Sequence, residues 1–104
     1  MTVDKPISVR WLRTALDEVD SAVEQIQQDS EAAAERFRRN VFERTALLAF
    51  HPRSGGIHPA CPNARFLVED SFLILYTVHR KEVVIRAVVH GAMLFRKKWI
   101  RRNA

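Results

Sequence analysis

"RFLVEDSFLILYTVHRKEVVIRAVVH", residues 65–90, decides the fold. It divides into three runs at two short polar breaks, Glu69-Asp70-Ser71 and His79-Arg80-Lys81. Arg65–Glu69, Phe72–Val78 and Glu82–His90 are rich in β-branched and aromatic residues, and connections this short join antiparallel neighbours in a meander. Phe72–Val78 is apolar almost throughout, which predicts a central strand covered on both faces. In the last run Val83, Ile85, Ala87 and Val89 alternate with Val84, Arg86, Val88 and His90. Strand periodicity therefore puts Arg86 and His90 on one face, about 13 Å apart. Arg65 begins a neighbouring strand, so Arg65, Arg86 and His90 are expected to line one open face. Two guanidiniums and an imidazole form a set able to hold phosphate and move protons. The spacing equally fits a solvated Arg86 and a His90 that closes the strand end.

Upstream the period changes. Ile7, Val9 and Trp11 alternate with Ser8 and Arg10 as a short strand. Leu12, Ala15, Leu16, Val19, Ala22, Val23 and Ile26 then fall on one helical stripe running to about Gln28, with Thr14 the expected N-cap. Ser30 restarts the pattern as a cap, with Glu31 at the positive end of the second helix dipole. Ala34, Phe37, Val41 and Leu48 form the second stripe, and His51-Pro52 ends it. Residues 51–62, HPRSGGIHPACP, read as a loop. The expected architecture is α+β in the order β-α-α-β-β-β, an antiparallel sheet with two helices packed on one face.

The 104 residues suit one domain, residues 1–104, with a basic C-terminal tail at about 93–104. No apolar run approaches the ~20 residues that cross a bilayer, so no membrane role is expected. MTVDKP lacks an apolar signal region, and a lone cysteine fits a reducing cytoplasm. Residues 1–50 hold seven Lys and Arg against nine Asp and Glu, a net of −2; residues 51–104 hold ten against three, a net of +7. A basic surface of this kind suits an anionic partner. The tail, FRKKWIRR, spaces Arg96, Lys97, Lys98, Arg101 and Arg102 around Trp99. His51, His58 and Cys61 sit close in sequence, but neither a CxxC nor an HExxH is present, so no metal or cofactor is expected. Ser54-Gly55-Gly56 lacks the P-loop context and reads as a turn.

Three stretches together resemble the RelE/ParE superfamily of bacterial toxins from type II toxin–antitoxin systems, and most of all its ParE-type plasmid-stabilisation branch. They are VRWLRTALDEVDSAVEQI, DSEAAAERFRRNVFERTALLAFHPRSG and RFLVEDSFLILYTVHRKEVVIRAVVHGA, which cover residues 8 to about 93. Such sequences often follow the loop glycine with Arg or Lys. Here it is Gly55-Gly56, leaving Arg53 to supply the loop's basic contact. They often place a basic residue after His-Gly, whereas this chain has His90-Gly91-Ala92-Met93.

The resemblance implies a cytoplasmic toxin held inactive by a cognate antitoxin protein, in a heterotetramer or larger complex. A ParE-like member acts on DNA gyrase by binding, without being an enzyme; Arg53, Arg96, Lys97, Lys98, Trp99, Arg101 and Arg102 are then the target-binding candidates. A RelE-like member is a ribosome-dependent endoribonuclease that cuts mRNA; His90, Arg65 and Arg86 are then the catalytic candidates. A third reading, independent of the resemblance, is a nucleic-acid-binding module without toxicity.

Overall fold

The computed structural model describes residues 5–91. The elements are β1 (Ser8–Trp11), α1 (Arg13–Gln27), α2 (Glu31–Ala46), a 3-10 turn at Leu47–Ala49, β2 (Gly56–Ile57), β3 (Ala64–Glu69), β4 (Phe72–Val78) and β5 (Glu82–His90). The five strands form one sheet in the order β1-β5-β4-β3-β2. β4 is at its centre and is buried from Phe72 to Tyr76, as its apolar run requires. Both helices pack on one face. Ala15, Val19 and Ala22 of α1 and Phe37 and Val41 of α2 meet Ile74, Tyr76, Val83, Ile85 and Val88 of the sheet.

Two expectations about the sheet are corrected. It is mixed, not antiparallel throughout, because β1 lies parallel to β5 with Ser8 opposite Glu82 and Trp11 opposite Ile85. The helical hairpin returns the chain to the far side of the meander, so β1 joins at the β5 edge and not beside its sequence neighbour. The 51–62 segment is also more than a loop. Gly56 and Ile57 pair with Phe66 and Arg65 and extend the sheet past β3.

The helix caps divide. Ser30 Oγ accepts from Ala33 N at 3.1 Å, capping α2 as expected. Thr14 does not cap α1. The cap position is Leu12, extended at φ −69° and ψ 146°, with no side-chain bond. Leu12 N donates to Ile85 O at 3.0 Å, so strand pairing holds the backbone extended to that residue and the helix starts directly after it. Thr45 closes the second stripe by donating its hydroxyl to Val41 O at 2.8 Å, which lets a polar side chain sit buried before Leu48.

Candidate functional site

The decisive local feature is a bulge in β5. Tyr76 is opposite Ile85, but Leu75 is opposite Ala87, so Arg86 is an extra residue without a partner on β4. A bulge of this kind shifts the alternation by one residue. Before it, Val83 and Ile85 face the helices; after it, Val88 does. Ala87 and Val89 turn to the other face, with Leu73, Leu75 and Phe66. The expected single face of Val83, Ile85, Ala87 and Val89 is therefore split.

That split separates the predicted trio. His90 lies opposite Phe72 on the helix side, with the two rings edge-to-face at 5.5 Å and 76°. Phe72 in turn packs on Phe37 of α2 at 5.4 Å. His90 lines a cavity of about 270 Å³ with Asp29, Ser30, Asp70 and Ser71, where the helix hairpin meets the β3–β4 turn. Arg65 shares the helix side, opposite Tyr76, but lies four register positions from Glu69, which aligns with Phe72 and His90. Strand rise and strand spacing put Arg65 and His90 roughly 16 Å apart along and across the sheet. Arg86 points the other way: its Nε donates to Thr77 Oγ1 at 2.9 Å, and Thr77 pairs with Val84 and Ala64 on the face away from the helices. The three residues do not line one face.

Arg65 has a structural task. Its Nη1 donates to Arg53 O at 3.1 Å and to Gly55 O at 2.9 Å. Gly55 N donates to Tyr76 Oη at 2.8 Å, so Arg65, Gly55 and Tyr76 lock the 53–57 segment against the sheet. Gly55 is required by contact. A Cβ there would lie 2.4 Å from Tyr76 Oη and 2.6 Å from Phe66 O. Burial raises the Tyr76 pKa, outweighing the opposing pull of the Gly55 amide, the Arg65 charge and Ser54. Glu69, the carboxylate nearest Arg65 in sequence, pairs elsewhere: its Oε1 is 3.1 Å from Arg44 Nη1, and its Oε2 accepts from Asn40 Nδ2 at 3.1 Å. Arg44 also donates to Val68 O, covering the β3 edge that β2 is too short to reach. Arg53 keeps its side chain exposed in this segment. Arg96, Lys97, Lys98, Trp99, Arg101 and Arg102 lie outside the described residues.

The His58-x-x-Cys61 spacing serves a turn. His58 Nδ1 accepts from Ala60 N at 2.9 Å and Cys61 N at 3.0 Å, with the imidazole buried and its pKa lowered by that burial.

The family model for the ParE toxin of the type II toxin–antitoxin system parDE matches residues 9–95. The chain belongs to the ParE toxin family. It is thus of the toxin type of a two-protein module, the class whose partner is an antitoxin. A solved structure of the chromosomal ParDE TA system from P. aeruginosa shares the fold, with a TM-score of 0.68 at 19% identity over 81% of this chain and 95% of that one. No curated protein sequence matches significantly. Among the described residues, no helix of this ParE-family chain is long and apolar enough to cross a membrane.

Sequence reasoning missed three contributors. Glu18 of α1 accepts from Val88 N through Oε1 at 3.0 Å, on the side of β5 where β1 has ended. In sequence Glu18 is one more acidic residue beside the stripe. In sequence Thr77 and His79 are a strand residue and a turn residue, yet Thr77 holds the Arg86 side chain and His79 in turn meets Thr77. The available signal was Thr77 itself, an aliphatic hydroxyl in an otherwise apolar or aromatic strand.

Proposed function

We propose that this ParE-family toxin arrests growth in the bacterial cytoplasm by binding DNA gyrase, and that a cognate antitoxin neutralises it in a heterotetramer or larger complex. The observation that carries the reading is the separation of Arg65, Arg86 and His90. RNA cleavage needs a proton acceptor, a proton donor and phosphate-holding cations within reach of one phosphate. Here the bulge sends Arg86 to one face and His90 to the other, and Arg65 is committed to two loop carbonyls. A binding toxin needs no such convergence. The net +7 of residues 51–104 supplies an electropositive surface for an anionic partner. Arg53 and the basic run Arg96–Arg102 are its proposed contacts.

The test is induction in a bacterial host with pulse labelling of DNA and protein synthesis over the first minutes. A gyrase-directed toxin halts DNA synthesis first; removing Phe95–Arg102 relieves the arrest and His90→Ala does not. An early stop in translation with DNA synthesis intact, abolished by His90→Ala, would establish the ribonuclease alternative in its place.

A further inference from the structure

The face away from the helices carries a cavity that the gyrase reading does not use and that holds Arg86 alone of the three ribonuclease candidates. A cavity of about 470 Å³ lies between the Ala60–Ala64 segment and the ends of β4 and β5. Arg86, Thr77 and His79 form its polar wall; Ala60, Pro62 and Val78 are among its apolar neighbours. Its volume falls within the range of small-ligand sites, roughly 300–1,000 Å³. No Asp or Glu lines it among the described residues.

The polar wall is held in place. The bulge at Arg86 takes this residue out of register with β4, and bulges commonly re-aim a side chain in this way. Arg86 Nε donates to Thr77 Oγ1 at 2.9 Å, and Thr77 Oγ1 is 2.9 Å from His79 Nε2. A threonine hydroxyl has two lone pairs and one proton, so it can serve both neighbours at once. Among the described residues this uses one of the five guanidinium N–H donors and leaves the Nη edge, the part that grips an oxyanion with paired bonds. Glu82 lies outside the lining: Arg10 donates to both its oxygens, at 3.1 and 3.2 Å, and the charges of His79 and Arg86 act on it only through space. The cavity thus has a tethered cation, an imidazole and a hydroxyl with no carboxylate in its lining.

We infer that the Arg86–Thr77–His79 cavity binds a small ligand through an oxyanion, either a phosphate or a carboxylate group. The apolar side of the cavity takes the ligand's carbon portion. The site does not require gyrase to be the target, and its test reads ligand binding and not growth arrest, so it stands or falls apart from the proposed function.

The test is NMR on the full chain, following the Arg86 Nε–H signal and the amides of Ala60, Cys61, Asn63, Ala64 and Thr77–His79. Sodium phosphate and sodium acetate are titrated separately at constant ionic strength against sodium chloride. A saturable shift with phosphate identifies a phosphate ligand class, and one with acetate a carboxylate class; chloride produces neither. Arg86→Gln abolishes the saturable shift. Thr77→Val, which keeps the charge and shape but removes the tether, weakens it about tenfold. Each variant's remaining amide spectrum shows that it is folded. Shifts that match chloride, or that persist unchanged in folded Arg86→Gln, overturn the site.

Discussion

Replacing Tyr76 by Phe removes one oxygen from a fully buried position in the sheet. Tyr76 is 0% exposed, and its hydroxyl is the acceptor for Gly55 N at 2.8 Å. The ring and its packing in the helix-side core remain, so the loss is that of one buried donor's partner. Leaving a buried N–H unsatisfied costs about 1–3 kcal/mol. For a chain of this size each kcal/mol lowers Tm by roughly 4–8 °C. Arg65 still holds Gly55 O and Arg53 O, so the variant folds and the cost can be measured by urea unfolding. The same substitution has a pH signature. Burial raises the pKa of Tyr76, so the folded state keeps the phenolic proton more firmly than the unfolded chain does. That contribution is fully present below the unfolded value, about 10, and is lost as pH rises through the folded value. Tyr76→Phe therefore loses stability at neutral pH but has a shallower alkaline decline than the parent. Because the chain has a single tyrosine, tyrosinate absorbance in the native protein reports this group alone. A variant within about 0.5 kcal/mol of the parent at neutral pH would refute the hydrogen-bond argument. Native tyrosinate forming at its ordinary pH would refute the burial argument.

Further substitutions test three other joints of the fold. Glu18→Ala strips Val88 N of its acceptor and is expected to destabilise by about 1–3 kcal/mol in urea unfolding, while Glu18→Gln, which retains a carbonyl oxygen, recovers most of it; equal losses would point to charge instead of the hydrogen bond. Gly55→Ala drives a methyl into Tyr76 and the Phe66 carbonyl and should cost about 1–3 kcal/mol, whereas Gly56→Ala meets only the Phe66 ring at 3.0 Å and should be milder; the ranking is read from paired thermal melts. Burial lowers the His58 pKa, so its contribution is complete above the unfolded value near 6.5 and falls away as pH drops; His58→Asn, whose side-chain oxygen can still accept from Ala60 and Cys61, should flatten the decline in stability between neutral and acid pH, and an unchanged slope would reject the assignment.

Much of this fold could be read because its signals are local. Phe72–Val78 and Glu82–His90 were delimited to the residue by the polar turns beside them, and Ser30 caps because a cap needs only its own next three residues. What escaped depends on distant partners. β1 has the alternation of a strand, but nothing within it names β5 as its neighbour or sets the parallel direction. Thr14 is a good cap in isolation, and it lost to a strand pairing formed 73 residues away in sequence, between Leu12 and Ile85. The task of Arg65 escaped because the carbonyls that hold it belong to a loop whose path its sequence does not specify.

The β5 bulge is the case where sequence patterning fails for a physical reason. A register slip is visible when one face is apolar and the other polar, because the wrong register exposes the core. In Val83–Val89 every residue except Arg86 is apolar and buried, so both faces accept either register and periodicity cannot report the slip. Yet the same stretch contains the cause. Arg86 is the only charged residue between the ends of a strand covered on both sides, and burying its charge without partners would be costly. Placing it at the extra position of a bulge takes it out of register with β4 and lets it reach Thr77 and the cavity edge. The displacement that accommodates Arg86 also turns His90 toward Phe72 and the helices. One charged residue in an apolar strand thus both gives the cavity its cation and dismantles the arrangement that even alternation predicts.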